Sequence, residues 1–355
     1  MSRKKTITLD ELAAELSLSP TTVSLALSGK SRTYRISEKT TIRIKEAAER
    51  LGYTPNHMAR AMRRGKSDTI GVIFPDVSEN YMNYILAGIE SAALENSSTL
   101  MIATSALNSS VEKNNIKMFL DRGVDGLLII PYAPFSEETY SSSAVELAEN
   151  SGIPVVAADR YIEKVNKYAV IGDDFNAAFR VTEKMLSTGC VKAAYLGFDL
   201  KINSLEDRRK GFYKAVESAG LKNYSQEFLV KHRNAESYDI RNWLDGLEKN
   251  GSFPDCFLVS TDGLAQKLYW LLNNRKSSEK LKTATLRMPV IARFGEDSPY
   301  FPTGMISVIQ PHMEIGKRAA LKLFSLINGK TIPQKNRIEV INMKIKGESY
   351  EKKYN

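Results

Sequence analysis

Cysteine and histidine are scarce in this chain, and their scarcity removes several kinds of chemistry. Only Cys190 and Cys256 occur among 355 residues, 66 positions apart and outside any C-x-x-C spacing. Neither a disulfide framework nor a zinc site is indicated, and a reducing compartment fits. The three histidines, His57, His232 and His312, are not within helical reach of one another or of a cysteine, so metal catalysis has little support. No G-x-S-x-G stretch is present. Two GKS tripeptides, Gly29-Lys30-Ser31 and Gly65-Lys66-Ser67, lack the glycine that a phosphate loop needs five positions earlier, where Ser24 and Arg60 stand. No cofactor is expected. Long apolar runs are missing too. Leu127 to Ile130 falls far short of the ~20 residues that cross a bilayer. The start passes from Arg3-Lys4-Lys5 into Thr8-Leu9-Asp10-Glu11 with no signal core. The expectation is a cytoplasmic protein with no membrane partner.

What is present is apolar material for several cores, 43% of the residues, and a lopsided charge. Residues 1–66 carry 14 Lys/Arg against 6 Asp/Glu, and so hold nearly all of the net +9. A basic head on a nearly neutral body suits contact with a phosphate backbone, where each neutralised phosphate releases counterions. A solvated basic tail is the plainer alternative.

The head reads as three short helices. Thr8-Leu-Asp-Glu11 is a capping box, followed by Leu9, Leu12, Ala13 and Leu16 at helical spacing. Ser19 caps a second helix with Pro20 at its first position. That helix is expected to bury Val23 and Leu27 and to expose Thr21, Thr22, Ser24, Leu25 and Ser28, ending at Gly29. Ser37 opens a third, with Ile44, Ala47, Ala48 and Leu51 on one face and Gly52 at its end. A tight turn between the first two makes a helix-turn-helix, whose second helix enters the major groove. Short hydroxyl side chains can bond base edges or phosphates there, and Leu25 can meet a thymine methyl.

These stretches, "TLDELAAELSLSPTTVSLALSG" and "ISEKTTIRIKEAAERLGYTPNHMARAMRRGKSDTIGVIFPD", with "ISVIQPHMEIGKRAALKLFSLING" far downstream, resemble the lac-repressor/galactose-repressor (LacI/GalR) family of bacterial transcriptional regulators. The resemblance implies DNA contacts from Thr8, Ser19, Pro20, Thr21, Thr22, Ser24, Leu25, Ser28, Tyr53, Asn56, Ala59, Arg60 and Met62, to which the positive charge of Arg35 adds a further expected contact. Met62 would be a minor-groove wedge in a hinge helix that is too short to hold alone; an ordinary linker is the alternative. Ser17 stands where relatives have a turn glycine, and Leu25 where they often have arginine. About three extra residues lie around Thr33-Tyr34-Arg35, either a phosphate-contacting addition or a surface loop.

From Thr69 short apolar runs alternate with helical segments, at 69–75, 98–104, 125–131, 153–158, 168–172, 193–198, 227–231, 255–260, 289–294 and 304–309. Such alternation means parallel sheets covered on both faces, with ligands at the carboxyl ends of strands. The resemblance implies an all-α helix-turn-helix head on an α/β, periplasmic-binding-protein-like core of two doubly wound parallel-sheet subdomains. Its expected limits are 1–54 for the head, 55–68 for hinge and linker, and 69–355 for the ligand-binding and dimerisation domain. Within that domain the N-subdomain takes about 69–160 and 295–325, and the C-subdomain about 161–294 and 326–355. The effector would meet Tyr81, Tyr132, Asp159, Arg160, Arg208, Arg233, Thr261, Asp262 and Glu296, or Asp297 in place of the last. "ARFGEDSPYFPTG" lacks the family's Gly-aromatic-Asp-Asp order, and Arg233 leaves room for an anionic ligand such as a sugar phosphate.

The expectation is therefore a homodimeric repressor, not an enzyme, that binds a near-palindromic double-stranded DNA operator under control of a small-molecule effector, a sugar or sugar derivative. A solute-binding protein or a sugar-active enzyme with an appended basic segment is the alternative. The terminal "KIKGESYEKKYN" has no apolar heptad that would build a larger assembly.

Overall fold

The computed structural model describes residues 7–53, 65–76, 81–132, 142–231, 236–276, 288–297 and 304–347. The chain divides into two compact units, Met1–Ser67 and Asp68–Asn355. Asn56, Ala59, Arg60, Met62 and Arg233 lie outside the described residues.

In the first unit, α1 (Leu9–Glu15), α2 (Pro20–Leu27) and α3 (Glu38–Arg50) each begin at the hydroxyl residue their sequence announces. Thr8 and Glu11 form the reciprocal capping box, and the Ser19 and Ser37 hydroxyls accept from Thr22 N–H and Thr40 N–H, both at 3.1 Å. Each cap satisfies donors that a helix start leaves open, a contribution of roughly 1 kcal/mol. Leu12, Ala13, Leu16, Val23, Ala26, Ile44, Ala47 and Ala48 make the small core. Ala26, not Leu27, shares the buried face of α2 with Val23, and Leu27 is half-buried. Thr22, Ser24 and Leu25 are half-buried rather than exposed. In a two-turn helix wedged between two others, the small alanine takes the tightest position and its larger neighbours are partly covered. Ser17 has φ 53°, a left-handed conformation that glycine adopts without steric cost, in keeping with the turn glycine expected there from the resemblance.

The second unit holds two six-stranded sheets. The first has the order β11-β5-β4-β3-β1-β2, formed by Thr69–Phe74 (β1), Thr99–Thr104 (β2), Gly126–Ile129 (β3), Val155–Asp159 (β4), Ala169–Gly172 (β5) and Ile338–Ile341 (β11), all parallel. The second has the order β12-β10-β9-β8-β6-β7, formed by Ala193–Phe198 (β6), Gln226–Val230 (β7), Cys256–Val259 (β8), Val290–Gly295 (β9), Ile306–Ile309 (β10) and Lys344–Lys346 (β12). Only β12 runs antiparallel to its neighbour among these strands.

Strand residues alternate between two cores. Val72, Leu128 and Val156 face α4 (Tyr81–Glu95) and α11 (His312–Ile327), while Ile73, Leu127 and Val155 face α5 (Ser109–Asp121) and α6 (Ser143–Glu149). In the second lobe, α7 (Asp174–Leu186) and α8 (Asn203–Ser218) cover one face, and α9 (Glu236–Lys249) and α10 (Asp262–Lys276) the other. Two-sided cover explains the continuous apolar strands.

The lobe limits differ from those expected of the sequence. β5 lies within 161–294 but joins the first sheet, beside β4 and β11. β10 lies within 295–325 but joins the second sheet beside β9, and β11 lies within 326–355 but pairs with β5. An apolar run says that a segment is a strand, whereas the sheet it joins is fixed only by tertiary pairing. The chain thus changes lobe after β5, between β10 and α11, and between β11 and β12. No helix among the described residues is long and apolar enough to cross a membrane.

Candidate functional site

On the head, Thr8, Pro20, Thr21, Ser28 and Arg35 are exposed. Several hydroxyls already serve the helices: Thr8 bonds Glu11, Ser19 meets the Thr22 hydroxyl at 2.8 Å, and the Ser28 hydroxyl donates to the Leu25 carbonyl at 3.1 Å. Each keeps a further lone pair for an outside donor. Tyr53 packs half-buried against the head core, and its N–H donates to the Ala48 carbonyl. The inserted segment is a hydrogen-bonded turn. Ile36 N–H reaches the Ser31 carbonyl at 2.9 Å, Thr41 donates its hydroxyl proton to Ser31 at 2.8 Å, and Arg35 adopts φ 55°.

In the body, strand ends bring charged side chains together. Asp159 closes β4 with φ 66°, and Arg160 N–H donates to the Ala158 carbonyl at 2.7 Å, a tight γ-turn that holds both side chains at the sheet end. Arg160 donates to the Tyr81 hydroxyl and lies 3.6 Å from Asp159. The Tyr81 ring stacks beside the His312 ring, centroids 4.9 Å apart. His312 in turn approaches Asp159 at 3.5 Å through Nε2 and bonds Glu296 through Nδ1.

The second lobe supplies two further guanidiniums. Arg208 is buried on α8, donating to Asp174 at 2.6 Å, to the Ser260 carbonyl at 2.5 Å and to Gln310, with its Cζ 4.2 Å from the Phe294 ring centre. Arg293, fully buried on β9, pairs with Asp262 and donates to the Glu296 carbonyl at 3.1 Å. Glu296 N–H donates to the other Asp262 oxygen at 3.2 Å. A β-carbon at Gly295 would strike the Asp262 carboxylate, so this glycine lets the ion pair close over the strand end.

Of the expected effector residues, the structure joins Tyr81, Asp159, Arg160 and Glu296 around His312, and connects Asp262 through Arg293. Arg208 acts on Asp159 at longer range by its charge. Tyr132 enters by its backbone, its N–H donating to the buried Glu112 carboxylate at 2.9 Å. Thr261 serves its own helix, its hydroxyl accepting from Leu264 N–H at 3.4 Å. Asp297 points elsewhere, to an exposed pair with Lys346. Glu112, Arg293, Gln310 and His312 were not anticipated. The mismatch of "ARFGED" with the family order stood near Arg293, and Gln310 and His312 lie in the quoted stretch "ISVIQPHMEIG", which assigned them no role.

Burial and pairing compete at each acid. Burial pushes Asp159 up, but the hydrogen bond and charge of His312, with Arg160 and Arg208, bring it below its ordinary value. Burial dominates at Asp174, raised to about 6 despite Arg208, and at Glu112, raised to about 7 despite the Tyr132 N–H and Arg160. Desolvation also raises Asp262 against the pull of Arg293. Among the described residues no group of three or more His, Cys, Asp or Glu is arranged to hold a metal ion.

Comparison with known proteins gives two family matches: "Bacterial regulatory proteins, lacI family" over residues 8–56, and "Periplasmic binding protein domain" over residues 70–330. The fructose operon regulatory protein of Vibrio cholerae serotype O1 is 28% identical, the match covering 79% of this chain and 83% of that protein. Among solved structures, the lac repressor dimer bound to operator and the anti-inducer ONPF superposes with a TM-score of 0.79 at 18% identity, covering 96% of this chain and 98% of that one. The Cra transcriptional dual regulator from Pseudomonas putida in complex with fructose 1-phosphate superposes with a TM-score of 0.64 at 21% identity, covering 79% and 98%.

Proposed function

Because the chain belongs to the lacI family of bacterial regulatory proteins, we propose that it is a homodimeric repressor of transcription, which binds a near-palindromic operator under the control of a sugar or sugar derivative held between its lobes. The observation that carries the DNA half is α2: a helix with short uncharged side chains, capped within a helix-turn-helix, on the unit that holds the chain's positive excess. Thr21, Ser24 and Leu25 are the proposed base-reading residues, with Thr8, Ser19, Pro20, Thr22, Ser28, Arg35 and Tyr53 toward the backbone. On sequence grounds Asn56, Ala59, Arg60 and Met62 extend the contact into the minor groove. No catalytic step is proposed, and the site of action is the cytoplasm, with the chromosome.

The effector half rests on charge balance in the cleft. Arg160, Arg208 and Arg293 lie against Asp159, Asp174 and Asp262 respectively, and His312 against Asp159 and Glu296. Closely spaced donors and acceptors of this kind suit the hydroxyl groups of a sugar ring, with the Tyr81 ring offering an apolar face. A relative named for a fructose operon and a fold neighbour that holds fructose 1-phosphate support the same class. Differential affinity of the effector for two lobe arrangements would then alter the operator affinity of the heads by linkage.

Calorimetric titration of the full-length protein with neutral hexoses and hexose phosphates tests the assignment. At least one is expected to bind the wild type and to lose ten-fold or more in affinity with Arg208→Lys, which keeps the charge but loses the fork geometry. Unchanged affinity in that variant would place the effector elsewhere.

A further inference from the structure

His312 belongs to neither set of residues that the family resemblance picks out, yet it stands where the lobes meet. It opens α11, directly after the chain leaves β10 of the second sheet, and α11 packs on the first lobe. The helix is seated closely: β-carbons at Gly88 and Gly316 would run into the Met313 and Ile85 carbonyls, so α4 and α11 touch backbone to backbone. The imidazole is therefore held in place, and it is buried.

Its two nitrogens face carboxylates from different lobes. Nε2 is 3.5 Å from Oδ1 of Asp159, at the end of β4, and Nδ1 bonds Oε1 of Glu296, just beyond β9. A neutral imidazole has one N–H and one lone pair, and a lone pair turned toward a carboxylate repels it. Two carboxylate partners therefore require both nitrogens to donate. A cation at a helix N-terminus is otherwise unfavourable, so the acids also offset the helix dipole.

We propose that the protonated His312 is a strut between the lobes, a positioning residue that ties Asp159 of the first to Glu296 of the second and so sets the separation of the cleft. The surrounding groups agree with this arrangement. Around the ring stand Tyr81 of α4, Asp159 and Arg160 after β4, and Glu296 after β9 with Arg293 and Asp262 behind it, while Arg208 of α8 acts on Asp159 from farther away. Arg160 and Arg293 are engaged by Tyr81 and Asp262. The His312 proton is a charge that both lobes share at close range, between Asp159 and Glu296. Burial opposes that proton, but the bonds to Asp159 and Glu296 outweigh burial and push His312 up to about 9. Below that pH the strut is charged. Above it one nitrogen becomes an acceptor facing an acid, and the contact between lobes turns repulsive. The strut needs no effector to act; its bearing on regulation rests on the function proposed above.

Energy transfer between dyes on the two lobes reads the strut directly, without DNA or effector. Cysteines at the exposed Lys117 of α5 and Lys249 of α9, in full-length protein with Cys190 and Cys256 replaced by alanine, take the pair. In otherwise wild-type protein the transfer is expected to fall as pH rises from 7 to 10, with a midpoint near 9. His312→Gln, neutral throughout, should show the separated value with no pH dependence. Glu296→Gln, which removes one arm, should move the midpoint down toward the ordinary histidine range, and serves alone if His312→Gln fails to fold. Flat transfer in the parent protein, or a midpoint that Glu296→Gln leaves in place, would overturn the strut. Failure of the sugar assignment would leave these results untouched, and failure of the strut would leave sugar binding untouched.

Discussion

Desolvation raises the Glu112 carboxyl to about 7 even though Tyr132 donates to it and Arg160 attracts it. Between the ordinary value of 4.5 and 7 the folded protein holds this proton and the unfolded chain does not, so stability falls as pH rises through that window. Glu112→Gln keeps an acceptor for the Tyr132 N–H and removes the charge. It is expected to stabilise the body at pH 8 by up to about 3 kcal/mol, with no gain below pH 4. Urea unfolding midpoints across pH test this, and an equal effect at both ends of the range would contradict it. Asp159 was legible in the sequence because it follows the apolar run at 153–158, and Arg208 because "RRKGF" is similar to the stretch that carries the family's ligand-binding arginine. Glu112 was not: in "SSVEKNNIK" it reads as one more polar position on a surface helix, and only the packing of α5 against the sheet buries it. His312, after "VIQP", likewise gives no local sign of the two acids that meet it, which come from about 150 and 16 residues away.

Elements were more legible than single side chains. The caps at Thr8, Ser19 and Ser37 start their helices where the hydroxyls stand, because a cap is local chemistry. The ten apolar runs became β1 to β10 with small changes of limit. β11 and β12 escaped notice because they are short, partly exposed and carry Glu339, Lys344 and Lys346. The glycines of α4 and α11 had no evident purpose in the sequence, yet they set the depth at which α11 lies and hence the place of His312. Gly316→Ala would push a methyl into the Ile85 carbonyl backbone, which cannot give as a flexible side chain would. The expected loss is about 1–3 kcal/mol, measured by urea unfolding, together with weaker effector binding as the helix start shifts. An unchanged midpoint would mean that the two helices tolerate a wider spacing.

At the scale of the molecule, a head that bears nearly all of the net +9 joins a body that is nearly neutral and holds a buried set of ion pairs at its strand ends. This division of charge sends the heads to DNA and keeps the cleft for the effector. The lobe assignment was the least legible feature at this scale, because among the described residues the chain passes between lobes three times and each strand's sheet is decided by partners far away in sequence. A two-fold dimer presents two copies of α2, so its target should repeat with the same symmetry. The central claim is most directly tested by selecting bound sequences from a random duplex pool with purified full-length protein at several salt concentrations. The account predicts recovery of a near-palindrome, with affinity for it exceeding that for random DNA even as salt weakens both. Recovery of no sequence preference, with binding that vanishes as salt rises, would contradict it.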